Sequence, residues 1–136
     1  MVQPFTFAAR RKSFRYAFRG VWLTLRSQHN AWIHAVATAA VVILGYLLGI
    51  SHLEWCAIAL ACAAVWTAEA LNTAIEFLSD ATTREIDPLV GKAKDVAAGA
   101  VLIAAVAAVI VGLLVFVPYF RVLLMSMGFE RTSFHP

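Results

Sequence analysis

Charge is what this chain has least of. Charged residues make up 14% of it and hydrophobic residues 62%, against roughly 25% and 45–50% in soluble domains. That balance excludes an ordinary water-soluble globule and points to a membrane protein. Cysteine is nearly absent too. The pair present, Cys56 and Cys62, lies within one apolar run, and at that spacing a helix turns them to different faces, so they cannot bridge and are packing residues. A phosphate-binding glycine loop is missing: Gly91-Lys92 matches only its end, no glycine precedes at the required spacing, and Ala93 stands where a Ser or Thr would bind metal. Histidine clusters are lacking as well. His29 and His34 are off the one-turn spacing of paired ligands, and His52 and His135 are isolated, so all four are read as interfacial or solvated. No secretory signal fits, because the first long apolar stretch begins only near Ala31 behind a basic segment. The first helix is therefore expected to be retained.

The charges that are present are sorted by position. Arg10, Arg11, Lys12, Arg15, Arg19 and Arg26 crowd the front, and Arg84, Lys92 and Lys94 lie between the later apolar runs; both groups belong on the cytoplasmic side. From about Phe5 to Gln28, Phe14, Phe18, Val21, Trp22 and Leu25 share one helical face opposite Lys12, Arg15, Arg19 and Arg26. This is the pattern of an amphipathic helix lying on the membrane surface, a basic anchor at the least.

Three spans follow. Residues 31–50 carry no formal charge and at about 1.5 Å per residue cross a hydrocarbon core of roughly 30 Å. Ser51, His52, Leu53 and Glu54 make a turn without Lys or Arg, which suits the outer side, and Trp55 opens the second span. Its uninterrupted apolar run ends at Ala68, too short to cross, so the span, residues 55–78, takes Glu69, Asn72 and Glu76 into the membrane. Asp80 to Gly91 reads as a cytoplasmic loop containing Pro88. The third span occupies residues 92–120, with Ala100, Ala104, Ala108 and Gly112 as a small-residue stripe for close helix approach. Residues 1–121 form one membrane domain, and the tail at 122–136 has no strong pattern. The expected fold is thus all-α and multi-pass: a surface helix plus three transmembrane helices.

The informative polar groups are on the second span. Glu69, Asn72, Glu76 and Asp80 are spaced by three, four and four residues, which puts them on one face near its cytoplasmic end. Three carboxylates on one face repel, and immersing any of them costs a few kcal/mol, so something positive must compensate. Lys92, Lys94 and Asp95 begin the next helix across the loop. A nucleotide with Mg²⁺ meets both demands, since magnesium takes carboxylate oxygens plus substrate phosphates and a lysine offsets phosphate charge. The plainer alternative is a self-satisfied ion-pair network that only holds helices together.

The string Glu69-Ala70-Leu71-Asn72-Thr73-Ala74-Ile75-Glu76, followed by Lys92-Ala93-Lys94-Asp95-Val96-Ala97-Ala98-Gly99-Ala100-Val101-Leu102, resembles the signature of the prokaryotic diacylglycerol kinase and undecaprenol kinase family. The resemblance extends from about Phe14 to Phe120. It implies a homotrimeric helical bundle in the bacterial inner (cytoplasmic) membrane, with the N-terminus and composite active sites on the cytoplasmic side. The partners implied are ATP with Mg²⁺ and a membrane lipid; no nucleic acid is expected. By position in the motif, Glu69 is the general base for the lipid hydroxyl, Glu76 holds the magnesium, and Asn72 orders the site. Lys94, Asp95 and Asp80 are placed near the nucleotide phosphates, with Glu85 in the loop and Tyr16 on the surface helix flanking the nucleotide. The family often has a glutamate as a second metal ligand where this chain has Gln28, whose neutral amide oxygen binds magnesium more weakly. The Val96-Ala97-Ala98-Gly99 segment looks more like the undecaprenol kinase branch.

Two other classes of function are weighed on the residues. A channel or proton-coupled carrier also places carboxylates in the membrane, but the outer halves of the spans, at residues 44–50, 55–61 and 108–117, offer no charged group to continue a path. A non-catalytic scaffold is compatible with the apolar halves and leaves the acidic stripe unexplained.

Overall fold

The computed structural model describes residues 6–82 and 87–132. These form α1 (Phe7–Ser27), α2 (His29–Leu48), α3 (His52–Thr82) and α4 (Pro88–Thr132). Helices α2, α3 and α4 are long and apolar enough to cross a membrane. The 20 residues of α2 rise about 30 Å, the thickness of a hydrocarbon core.

Each junction has a local chemical cause. Thr6 caps α1, its Oγ1 accepting from the Ala9 amide at 3.3 Å. Between α1 and α2 stands the single residue Gln28, in extended backbone. Gly49 ends α2 with φ at 63°, a left-handed conformation that favours glycine. At the start of α3, Ser51 and Glu54 form a reciprocal cap: the Ser51 amide donates to Glu54 Oε2 at 2.7 Å and the Glu54 amide to Ser51 Oγ at 3.4 Å. Asp87 caps α4, accepting from the amides of Leu89 and Val90 at 2.7 and 3.4 Å. Pro88 takes the first helical position, where its missing N–H would be unsatisfied in any case.

Several expected boundaries shift. The turn at Ser51–Glu54 is already the first turn of α3, because the reciprocal cap starts the helix at His52. Asp80 lies within α3, whose end is consolidated by Thr82 Oγ1 donating to the Leu78 carbonyl at 3.0 Å. Gly91 lies within α4, leaving only residues 83–87 as a link. Most different is the C-terminus, where α4 runs on through Pro118 to Thr132 rather than ending near 120. Residues 122–125 are apolar on every side, so they carry no periodicity to read, yet they continue a helix well.

Pairs of contacts set the register. Moving outward from the α1–α2 junction, Gln28 meets Glu76, His34 meets Glu69, Thr38 meets Trp66 and Gly45 meets Trp55. Numbers rising on α2 while falling on α3 make the two antiparallel. Helices α3 and α4 are antiparallel by the same logic, joined at one end by Asp80 with Lys94 and at the other by Glu54 with Tyr119. At that second end Ile50, Ile58, Val115 and Phe116 form the buried apolar cluster, packed by Leu44, Trp55 and Val111 among others. Trp55 lies directly on Gly45, where an added Cβ would stand 2.7 Å from the ring. The small-residue stripe is only partly covered inside the chain: Ala100 is exposed and Ala104, Ala108 and Gly112 are half-buried, while Ala97 and Val101 are buried.

Candidate active site

The helical spacing of Glu69, Asn72 and Glu76 turns them toward α2, and the antiparallel register brings the first residues of α2 alongside. The result is a cleft of about 270 Å³ lined by Asn30, His34, Glu69, Asn72 and Glu76, with Ala98, Val101, Leu102 and Ala105 of α4 and Ile33 completing the wall. Gln28 closes its end. Its side-chain amide donates to Glu76 Oε2, and Asn72 Nδ2 donates to Glu76 Oε1 at 2.9 Å. Both oxygens of Glu76 are therefore held, and both by neutral amides.

Glu69 is in the opposite condition. It is 1% exposed, the largest fully buried side chain among the described residues, and neither carboxyl oxygen has a hydrogen-bond partner. The Asn72 carbonyl oxygen is likewise buried and unpartnered. Thr73 Oγ1 donates to the Glu69 main-chain carbonyl at 2.8 Å, which steadies the helix without serving the carboxylate. The nearest basic group is His34, with Nε2 3.9 Å from Glu69 Oε2. Buried polar atoms without partners are uncommon in folded proteins, and here three belong to two residues that line one cleft.

A divalent cation suits this donor set. No group of three or more His, Cys, Asp or Glu converges among the described residues, so the protein alone does not make a closed metal cage. It offers the Glu76 carboxylate and, after a half-turn of the Gln28 amide, a neutral oxygen beside it. A hard cation that completes its shell with phosphate oxygens needs no more than one or two such ligands.

The other expected site residues are placed differently. Asp80 and Lys94 pair with each other, Nζ to Oδ1 at 3.0 Å, across the α3–α4 link. Asp95 is exposed at the start of α4 and does not line the cleft. Tyr16 is exposed on α1, with Lys12 Nζ 5.9 Å and the Arg15 guanidinium 6.0 Å from its ring. Glu85 lies outside the described residues. His34, read from the sequence as solvated or interfacial, instead faces Glu69, and Asn30 lines the same cleft unforeseen. The available signal was that each is polar near the start of an apolar span; spacing between histidines, the criterion applied, says nothing about a partner on another helix.

The geometry agrees with the similarity to known proteins. The family model described as prokaryotic diacylglycerol kinase matches residues 15–116. The chain is 47% identical over 107 residues to the undecaprenol kinase of Bacillus subtilis, covering 79% of this chain and 87% of that protein. It is 44% identical over 101 residues to a diacylglycerol kinase of Synechocystis sp., with 74% and 58% covered. A diacylglycerol kinase of Helicobacter pylori is 33% identical over 99 residues, with 68% and 77% covered. Every residue of the cleft falls inside the matched segment, and the chain belongs to the prokaryotic diacylglycerol kinase family.

Proposed function

We propose that this protein is a membrane-embedded lipid kinase that transfers the γ-phosphoryl group of ATP to the primary hydroxyl of a membrane lipid. The observation that carries the reading is Glu69: a fully buried carboxylate without a hydrogen-bond partner, on a helix suited to cross the membrane, beside a cleft able to hold a cation and phosphates. The relatives named as undecaprenol and diacylglycerol kinases support it. A lipid substrate is further supported by a second cleft of about 310 Å³ between α2, α3 and α4. It is lined by apolar residues such as Val41, Ile58, Val65 and Val109 and shares Ile33, His34 and Ala105 with the polar cleft. A hydroxyl head and a hydrocarbon tail match that continuity.

In this reading Glu69 accepts the hydroxyl proton, while Glu76 and Gln28 are the ligands of Mg²⁺ and Asn72 keeps Glu76 oriented. Magnesium held there would supply positive charge against the nucleotide phosphates. Lys94 exchanges its pairing with Asp80 for the nucleotide phosphates, and Tyr16, Glu85 and Asp95 flank the nucleotide. Phosphoryl transfer asks the protein mainly for alignment and charge stabilisation, which suits a site with one base and few cations. The domain, residues 1–121, acts as a homotrimer in the bacterial inner membrane, with α1 lying on the cytoplasmic surface and the cleft opening to that side. Assembly is supported by α3 and α4, which leave Leu71, Val96, Ile103, Val106 and Ile110 exposed.

The test is phosphate transfer from labelled ATP to undecaprenol and to diacylglycerol, side by side in one detergent with magnesium, and with Glu69→Gln as the blank. The expected result is transfer to undecaprenol in preference to diacylglycerol. Transfer to neither by folded protein would overturn the kinase reading and return the acidic face to a structural or carrier role.

A further inference from the structure

The geometry points to His34 as a positioning residue for Glu69, holding one carboxyl oxygen so that the other is aimed at the lipid hydroxyl. This rests on the reading of Glu69 as the base. A base must be held in one orientation to be effective, and a carboxylate with neither oxygen committed can rotate about its last bond. Two of the neighbouring amides are already engaged with Glu76. Asn72 Nδ2 donates to Glu76 Oε1 at 2.9 Å and the Gln28 amide donates to Glu76 Oε2, leaving both Glu69 oxygens without partners.

His34 is the group that can supply the missing donor. It projects from α2 into the same cleft, and its Nε2 lies 3.9 Å from Glu69 Oε2. That separation is beyond a hydrogen bond, but catalytic hydrogen bonds are often long without substrate and tighten when it binds. With the Nε2–H donated to Oε2, Oε1 is the oxygen left free.

In the transfer step the lipid O–H bond breaks and its proton passes to Glu69 Oε1. The electron pair released on the lipid oxygen forms the bond to the γ-phosphorus, the bond from that phosphorus to the bridging oxygen breaks, and ADP departs with the pair. His34 touches neither lipid nor nucleotide. It acts by keeping Glu69 in one rotamer.

The experiment replaces His34 in the full-length chain in detergent and measures kcat, the ATP KM and thermal unfolding with and without Mg-ATP. His34→Leu keeps the bulk, suits an apolar helix and deletes the donor; His34→Gln keeps a neutral donor of similar reach. The expected result is a kcat roughly 10- to 100-fold lower for His34→Leu, with the ATP KM and Mg-ATP protection unchanged, and substantial recovery in His34→Gln. Adding His34→Leu to Glu69→Gln should cost nothing further, because residues acting as one unit are not additive. Full activity in His34→Leu, a His34→Gln protein as slow as His34→Leu, or a loss that tracks lowered thermal stability would each overturn the proposal. If Glu69→Gln itself retains turnover, the base reading fails first, whatever His34 does.

Discussion

The Gln28 side-chain amide donates to the Glu76 carboxylate across a sequence separation of 48 residues, tying the one-residue joint between α1 and α2 to the middle of the acidic face on α3. The contact gives the Glu76 carboxylate a neutral partner distant in sequence. An amide opposite a carboxylate is mutually satisfied without metal, whereas two carboxylates there would repel until a cation arrived.

Gln28→Glu should therefore strengthen metal binding and weaken the metal-free protein. A unit charge about 4 Å from a divalent ion in well-hydrated surroundings is worth about 2 kcal/mol, so the magnesium concentration for half-maximal activity should fall about 30-fold. Without magnesium the thermal midpoint should drop, and magnesium should restore it. Titration of activity and of unfolding temperature against magnesium reads both, and an unchanged magnesium requirement would remove Gln28 from the metal site.

Glu69→Gln keeps the shape of the side chain and removes its basicity. Turnover should fall by about 10²- to 10⁴-fold, the range ascribed to a positioned general base, while protection by Mg-ATP against thermal unfolding persists because the nucleotide ligands are intact. Retained turnover would refute the role assigned to Glu69.

The Lys94–Asp80 pair is partly open to solvent, with side-chain exposures of 40% and 71%, and pairs of that kind contribute under about 1 kcal/mol to stability. Lys94→Ala should thus leave the unfolding midpoint nearly unchanged and raise the ATP KM, with Lys94→Arg recovering part of the loss. Equal ATP affinity in wild type and Lys94→Ala would confine the pair to joining α3 and α4.

At the end of the bundle away from Gln28, Gly45→Ala would place its Cβ 2.7 Å from the Trp55 ring and should destabilise the α2–α3 contact by about 1–3 kcal/mol through overpacking. Trp55→Phe, smaller at the same position, should relieve most of that loss in the double variant. Both changes lie far along the helices from Glu69, so kcat per folded molecule should be unaffected; thermal unfolding alongside activity checks this.

Much of the scaffold was legible in the residues. Three apolar stretches announce three helices suited to the membrane, and the three- and four-residue spacings of Glu69, Asn72, Glu76 and Asp80 place these residues on one face, because a helix has a fixed 3.6-residue period. The ends were less legible. Thr82 prolongs α3 through a bond to its own backbone, and Asp87 with Pro88 starts α4 sooner than the rise in charge suggested. The continuation of α4 beyond residue 121 was hidden at first because residues 122–125 are apolar all round and have no face to detect.

What the sequence determined by itself is the identity of the helices, the acidic face on α3 and the kind of chemistry such a face can host, all of which follow from composition and from periodicity within one helix. The tertiary structure alone decided who meets that face: that Gln28 and Asn72 take both oxygens of Glu76, that the Glu69 carboxylate is left buried without a hydrogen-bond partner, and that His34 is the basic group beside it. Periodicity reports which way a side chain points from its own axis. Which residue it finds there depends on the register and rotation of two packed helices, quantities fixed by side-chain interdigitation such as Trp55 against Gly45 and written in no single segment.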